Sequence, residues 1–158
     1  MMVKMLQPRV YVKSKRKVFD VEQIDFFEKT IEIYDEYYRS FEDSSISFEY
    51  YTFDEVEFME NTGLKDKNGK YIYVGDIVSF RDSFEEWQYD GEFSVSDGSN
   101  IAAVEKDKTN VTLTKFQSPG GMLERMLLER EVLFNDQPFE EFEVIGNVYE
   151  NKEFLENE

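Results

Sequence analysis

The chain has 158 residues and a mass of 18.9 kDa, with 41% hydrophobic and 16% aromatic residues, and these values predict one compact folded unit. Its 18 basic and 35 acidic residues give a formal net charge of −17, which disfavours direct binding to the phosphate backbone of a nucleic acid. The lack of cysteine and histidine excludes disulfides, thiol nucleophiles and zinc sites built from those two residue types.

The first residues, MMVKMLQPRVYVKSKRK, carry charges where a signal peptide needs an apolar core. No apolar run approaches the roughly 18 residues that a membrane span requires. We therefore expect a cytoplasmic protein that makes no contact with a membrane.

Residues 1–60 are predicted to form a strand-rich N-terminal segment, because short runs alternate polar with β-branched or aromatic residues, as in RVYVK and KVFDVEQI. Residues 26–38 are open to two interpretations. Phe27, Ile31 and Tyr34 recur at helical spacing, but we prefer a strand over Thr30 to Tyr37.

A polar turn at Phe41 to Ser45 precedes a further predicted strand at Ile46 to Tyr51. Thr52 and Glu55 have the spacing of a capping box, which predicts a single helical turn before Val56.

Residues 61–158 are predicted to form a β-barrel-like region that opens with a hairpin. Asn68 and Gly69 suit a two-residue turn that would pair Leu64 to Lys67 with Lys70 to Tyr73. Gly75 and Asp76 then predict a bend, of the kind by which a small antiparallel barrel turns a corner.

Two Asp-Gly pairs, Asp90-Gly91 and Asp97-Gly98, are predicted as turns between short strands, and a last strand is predicted at Glu143 to Tyr149. This spacing indicates an SH3-like or similarly rolled β-barrel. The predicted fold class is thus mainly β with minor α, built from antiparallel sheets with one amphipathic helix.

The helix is predicted from Ser118, as the N-cap, to Glu131, with Pro119 at its first position. Met122 and Met126 lie on its apolar face together with two leucines, and the default expectation is that this face packs on the protein's own sheet. Methionine also suits an adaptable partner surface.

Trp87 is the only tryptophan, and it lies beside acidic residues in a predicted loop. It is either an anchor for a partner or an ordinary residue at the edge of the core. Trp87, Met122 and Met126 are therefore the candidate interaction residues.

No catalytic, cofactor-binding or metal-binding residue is predicted. The loop around Asn68-Gly69 resembles a calcium loop only superficially, because Leu64 and Gly75 occupy the two positions that should carry anchoring carboxylates. No phosphate-binding loop is present, and no spacing singles out one carboxylate pair among the many acidic residues. We expect a protein that is not an enzyme and has no cofactor.

Two segments resemble the paired signatures of the YopX-like proteins of phages and prophages. They are Thr62 to Lys70, followed by Ile72-Tyr73 and Gly75 to Val78, and the closing segment Glu143 to Asn151. Val21 to Asp25 is similar more loosely. The resemblance implies a mostly antiparallel β fold and a phage accessory protein in a bacterial host cell, with no established activity to carry over.

The expected function is therefore that of a phage accessory protein that binds a partner protein or itself, with a homo-oligomer as one form. The acidity allows two interpretations: a solvated surface, or an acidic face that docks a basic partner. The alternative function is an acidic mimic of nucleic acid that inhibits a DNA-binding enzyme of host or phage.

Overall fold

The computed structural model describes residues 7–35, 48–108, 110–129, 134 and 141–156. Its described strands pair only in antiparallel fashion and are accompanied by one α-helix, which confirms the predicted mainly β fold. The chain divides into two units, Met1–Asn61 and Thr62–Glu158. The single compact unit stays a prediction.

The N-terminal unit contains one five-stranded sheet and a short 3-10 helical turn at Phe53–Glu55, where a helical turn was predicted. Its strands lie in the order β4-β3-β2-β1-β5. They are β1 (Arg9–Val12), β2 (Lys17–Asp25), β3 (Thr30–Tyr34), β4 (Phe48–Thr52) and β5 (Val56–Met59).

The structure settles the ambiguous residues after β2 in favour of a strand. Asp25 accepts hydrogen bonds on Oδ1 from the backbone N–H groups of Phe27 and Glu28, both at 3.0 Å, and Lys29 has a φ of +57°. These contacts form a tight turn in place of a helix. The later residues of the predicted strand, from 36 on, lie outside the described residues, as do the turn predicted at 41–45 and the first two residues of the strand predicted at 46–51.

Alternation within the strands builds the core of this unit, because successive side chains of a strand point to opposite faces. The buried residues are Val10, Val12, Phe19, Val21, Ile31, Ile33 and Val56.

A polar cluster ties β4 to the chain before β2: Lys15 Nζ lies 2.8 Å from Asp35 Oδ2 and 2.9 Å from Glu49 Oε2. Burial and a hydrogen bond to Glu49 raise the pKa of Tyr51 to about 12.

The C-terminal unit contains a four-stranded sheet in the order β10-β9-β8-β11 and a separate hairpin of β6 and β7. Its elements are β6 (Asn61–Lys65), β7 (Tyr71–Tyr73), β8 (Asp76–Trp87), β9 (Phe93–Asp107), β10 (Asn110–Thr114), α1 (Met122–Leu128) and β11 (Glu143–Asn147), followed by a 3-10 turn at Lys152–Leu155. Among the described residues, β10 and β11 are the two edges of an open sheet, so the predicted closure into a barrel is not found there.

The hairpin of β6 and β7 turns over three residues, one more than predicted. Gly69 has a φ of +79° and donates its N–H to Asp66 O at 3.0 Å, whereas Asn68 has no positive φ. The carboxylate of Asp66 accepts hydrogen bonds from the backbone N–H groups of Asn68 and Lys70, both at 2.9 Å. These bonds stabilise the wider turn, in which a single left-handed glycine follows two ordinary residues.

Gly75 and Asp76 lie where the chain turns from β7 into β8. Gly75 has a φ of +101°, donates its N–H to Val104 O at 2.7 Å and accepts a hydrogen bond on its carbonyl from Val148 N at 2.8 Å. The buried carboxylate of Asp76 accepts the N–H of Tyr73 at 2.7 Å. The turn therefore links three strands through backbone and side-chain hydrogen bonds.

Strand β9 is longer than predicted, because Asp97-Gly98 does not form a turn. Both residues lie inside the β8–β9 ladder, opposite Ser83 and Asp82, so the short strands predicted on either side of Asp97-Gly98 belong to one hairpin arm. The Asp90-Gly91 turn is confirmed: Gly91 has a φ of +86° and donates its N–H to Gln88 O at 2.9 Å.

Helix α1 begins later than predicted, with Gly121 and not Ser118 at its N-cap. Ser118 is unavailable as a cap because its N–H and C=O bond the side chain of Asn100, at 3.0 and 2.8 Å. Leu123 and Leu127 pack against the core of this unit, as the apolar spacing predicts. The buried residues of that core are Ile72, Val78, Phe80, Ala102, Val104, Leu113, Phe116, Phe134 and Phe142.

Candidate functional site

The long hairpin of β8 and β9 has two halves of different character. Eleven residue pairs join the strands without a break, from Ile77 opposite Ala103 to Trp87 opposite Phe93. We call residues 76–83 and 98–103 the hairpin base and residues 84–97 the hairpin tip.

The hairpin base is held by a buried carboxylate. Asp82 Oδ1 accepts the N–H of Leu123 at 3.1 Å and that of Ser83 at 2.9 Å, while Oδ2 accepts the side-chain amide of Asn100 at 3.0 Å. Gly121 makes this approach possible, because a Cβ at that position would overlap the Asp82 carboxylate. Asp82 thus fixes the start of α1 on the hairpin base.

Polar residues of the two segments that resemble YopX-like proteins are also structural. Asp66 Oδ2 accepts the N–H of Val144 at 2.9 Å, which ties the first segment to β11. Asn147 Oδ1 accepts the N–H groups of Tyr149 and Glu150, at 3.0 and 2.9 Å, and so shapes the turn that follows β11. These buried polar side chains hydrogen-bond to groups of the protein itself, as buried polar groups generally do, and Asn147 also donates to Glu150 Oε2 at 3.0 Å.

The hairpin tip presents a cluster of exposed aromatic side chains. Trp87 is the last residue of β8, not a loop residue, and its side chain is 73% exposed. It contacts Phe93 directly across the ladder, with ring centroids 5.1 Å apart, and Val95 lies two residues further along β9 on the same face. Tyr89 is fully exposed in the connecting turn.

The hairpin tip is also strongly acidic. Residues 84–97 contain five acidic residues, namely Glu85, Glu86, Asp90, Glu92 and Asp97, and no lysine or arginine. Arg125 of α1 makes a bidentate salt bridge to Glu85, with N···O distances of 2.8 and 3.1 Å, and its hydrogen bonds hold the pKa of Glu85 below the usual value. The other four carboxylates lie in the same segment as the aromatic residues and make no salt bridge to any described residue.

Of the candidate interaction residues, Trp87 is exposed, whereas Met122 and Met126 are half-buried on α1. Arg125 of α1 pairs with Glu85 of the hairpin. Sequence reasoning missed Tyr89, Phe93 and Val95 as neighbours of Trp87. The signal was present, because a turn at Asp90-Gly91 places Trp87 opposite Phe93.

Within the described part of the chain, no three or more acidic side chains are grouped to hold a metal ion. No helix there is long and apolar enough to cross a membrane.

Comparisons with known proteins agree with the resemblance that the sequence suggests. A search of curated proteins gave no significant match. The structure is similar to the crystal structure of protein EF1440 from Enterococcus faecalis, with a TM-score of 0.53 and 19% identity over 95% of this chain and 97% of that one. At this identity the similarity shows the fold alone. The family model described as YopX protein matches residues 8–156, nearly the whole chain, so the chain belongs to the YopX family.

Proposed function

We propose that the protein is a binding module that docks a basic partner protein through the hairpin tip. The single observation that supports this proposal most strongly is the exposed cluster of Trp87, Tyr89 and Phe93 at the end of an ordered arm. Large aromatic residues are the commonest anchors of protein interfaces, and exposing several of them together in water is unfavourable unless a partner covers them.

Charge selects the class of partner. Four carboxylates of the hairpin tip have no salt bridge to a described residue, so a complementary surface carries an apolar pocket with lysine or arginine at its rim. A second copy of this chain, with a net charge of −17, would bring like charges together. We therefore favour a different, basic protein over self-association.

The setting that we propose follows from the family. The protein acts as a phage or prophage accessory protein in the cytoplasm of a bacterial host, without catalysis and without direct contact with nucleic acid or membrane. In the alternative function, the acidic tip is the surface that mimics nucleic acid. The basic partner surface would then be the DNA-binding face of an enzyme, and DNA would compete for it.

The test is an affinity pulldown of the tagged full chain from lysate of a phage-bearing host, with mass spectrometry of the eluate, followed by titration of the purified partner. Trp87→Ala should weaken binding about 30-fold, the effect of losing roughly 2 kcal/mol at a hot spot. Tyr50→Ala is the matched control, because it removes an exposed aromatic residue from β4 in the other unit. Its binding should equal that of the wild type.

Three results would overturn the proposal: equal binding by the Trp87 and Tyr50 variants, an acidic partner, or recovery of the protein only as a multiple of its own 18.9 kDa in light scattering. Loss of the complex when duplex DNA is added would show that the protein docks on a DNA-binding face, as a mimic of nucleic acid does.

A further inference from the structure

The N-terminal unit carries an aromatic cleft of about 480 Å³ that the proposed docking at the hairpin tip does not use. Three phenylalanine rings line it. Phe53 stands edge-on to both neighbours, with its ring centroid 6.2 Å from that of Phe26 and 5.2 Å from that of Phe58. Phe26 is 72% exposed and Phe58 is 40% exposed, so the cleft opens to solvent.

A β-bulge places one carboxylate at this cleft. In the pairing of β2 with β3, Val21 lies opposite Ile33 and Gln23 lies opposite Glu32, so Glu22 has no partner residue on β3. Bulges of this kind redirect a side chain and are frequent next to functional sites.

Among the described residues that line the cleft, Glu22 is the only charged one. The other lining residues besides the three phenylalanines are Gln7, Pro8, Gln23 and Ile24. The carboxylate of Glu22 makes no hydrogen bond or salt bridge with any residue that the structure describes. It is available to a ligand.

We infer that this cleft binds the side chain of an arginine presented by a partner protein. A cation is attracted to the faces of aromatic rings, and its aliphatic stem would cover the rings and Ile24 while the head reaches Glu22. Arginine suits the site better than lysine, because its planar guanidinium stacks on rings, is weakly hydrated and pairs with a carboxylate through two hydrogen bonds. The net charge of −17 adds to the attraction.

The test is a titration of the full chain with the peptide acetyl-Gly-Arg-Gly-amide, followed by NMR of the aromatic and isoleucine methyl groups. Resonances of Phe26, Phe53, Phe58 and Ile24 should shift together, and added salt should weaken the binding. The same peptide with citrulline, the neutral isostere of arginine, should cause no comparable shift. The indole resonance of Trp87 reports separately on any binding of the peptide at the hairpin tip.

Paired variants separate charge from ring chemistry. Glu22→Gln should weaken the binding about threefold, within the range of an exposed ion pair, while Glu32→Gln on the neighbouring strand should leave it unchanged. Phe26→Leu should weaken it by a similar factor of about three, and Phe27→Leu, which removes a 92% exposed ring that does not line the cleft, should not.

Equal shifts with the citrulline peptide would overturn the inference, as would unchanged binding by the Glu22 variant. Shifts confined to Trp87 would overturn it too, by placing the arginine at the hairpin tip. Absence of shifts at the cleft would leave the proposal for Trp87 untouched, so the two proposals can fail separately.

Discussion

The base and the tip of the β8–β9 hairpin share one unbroken ladder, yet their side chains lie in opposite environments. In the base, Ile77, Val78 and Phe80 are buried and Asp82 is enclosed by hydrogen bonds. In the tip, every residue of β8 from Glu85 onward is exposed. The ladder therefore sets the geometry of the whole arm, whereas the buried contacts that stabilise it lie in the base. The tip is free to vary with a partner.

The largest effect is expected where the base begins, at Gly75. Gly75→Val places a β-branched residue at a φ of +101°, a conformation that costs about 1–3 kcal/mol, and it crowds a backbone that is hydrogen-bonded on both sides. We expect an insoluble protein or a large drop in the melting temperature, measured by circular dichroism.

Gly98→Val is the matched control for that substitution. Gly98 lies inside β9 with ordinary φ, and a Cβ there would meet only the Phe84 ring, at 3.6 Å. Because valine favours strands, this variant should fold normally. Equal behaviour of the two variants would show that Gly75 is not a required turn residue.

The next effect is expected at Asp82. Asp82→Ala leaves the N–H of Leu123 and the amide of Asn100 without their acceptor, and unsatisfied buried donors cost about 1–3 kcal/mol each. Urea denaturation should show a loss of about 3 kcal/mol in the free energy of unfolding. Asp97→Ala removes an exposed carboxylate from the same hairpin and should change it by less than about 0.5 kcal/mol. Similar losses in both variants would contradict the distinct role of the base.

The local elements of this fold could be predicted because their signals are local. Alternation predicted the strands, and Asp90-Gly91 predicted a turn that the structure contains. The error at Asp97-Gly98 has a physical cause, since Ser83 Oγ bonds the Asp97 carboxylate across the ladder and keeps both residues paired. Residues that favour a turn stay in a strand when the neighbouring strand continues beside them and pairs with them.

The long-range features could not be predicted, because each depends on residues far apart in the sequence. The helix starts at Gly121 in place of Ser118 because Asn100 binds Ser118 and Asp82 receives the N–H of Leu123. The candidate site differs, because its signal is local. The predicted turn at Asp90-Gly91 already implies that Trp87 lies opposite Phe93, and only that consequence was missed.

A smaller effect is expected at Glu85, where base and tip meet. Arg125 lowers the pKa of Glu85 from its usual 4.5, so the salt bridge contributes stability above that pH and loses it as the pH falls through the lowered value. Glu85→Gln should therefore have a lower urea midpoint than the wild type near neutral pH, and the difference should vanish in acid.

Glu86→Gln, on the next residue, removes a charge that has no ion pair with a described residue, and it should show no such pH-dependent difference. A difference that persists in acid would mean that Glu85 stabilises the hairpin by packing and not by charge.

The smallest effect on stability is expected at Trp87, where the effect on binding should be greatest. Trp87→Ala removes a side chain that is 73% exposed and contacts Phe93 across the ladder, so the free energy of unfolding should change by less than about 0.5 kcal/mol. Because Trp87 is the only tryptophan, its fluorescence reports on the tip directly. The free protein should emit at the long wavelength of a hydrated indole, and a bound partner should shift the emission to shorter wavelength.

A Trp87 variant that unfolds would show that the tip contributes to the fold as the base does, and the separation between the two halves would be lost. A stable variant that no longer binds would show the reverse. It would mean that a ladder anchored at Gly75 and Asp82 holds the aromatic cluster in place, so the exposed rings are ordered before a partner arrives and little conformational entropy is lost on docking.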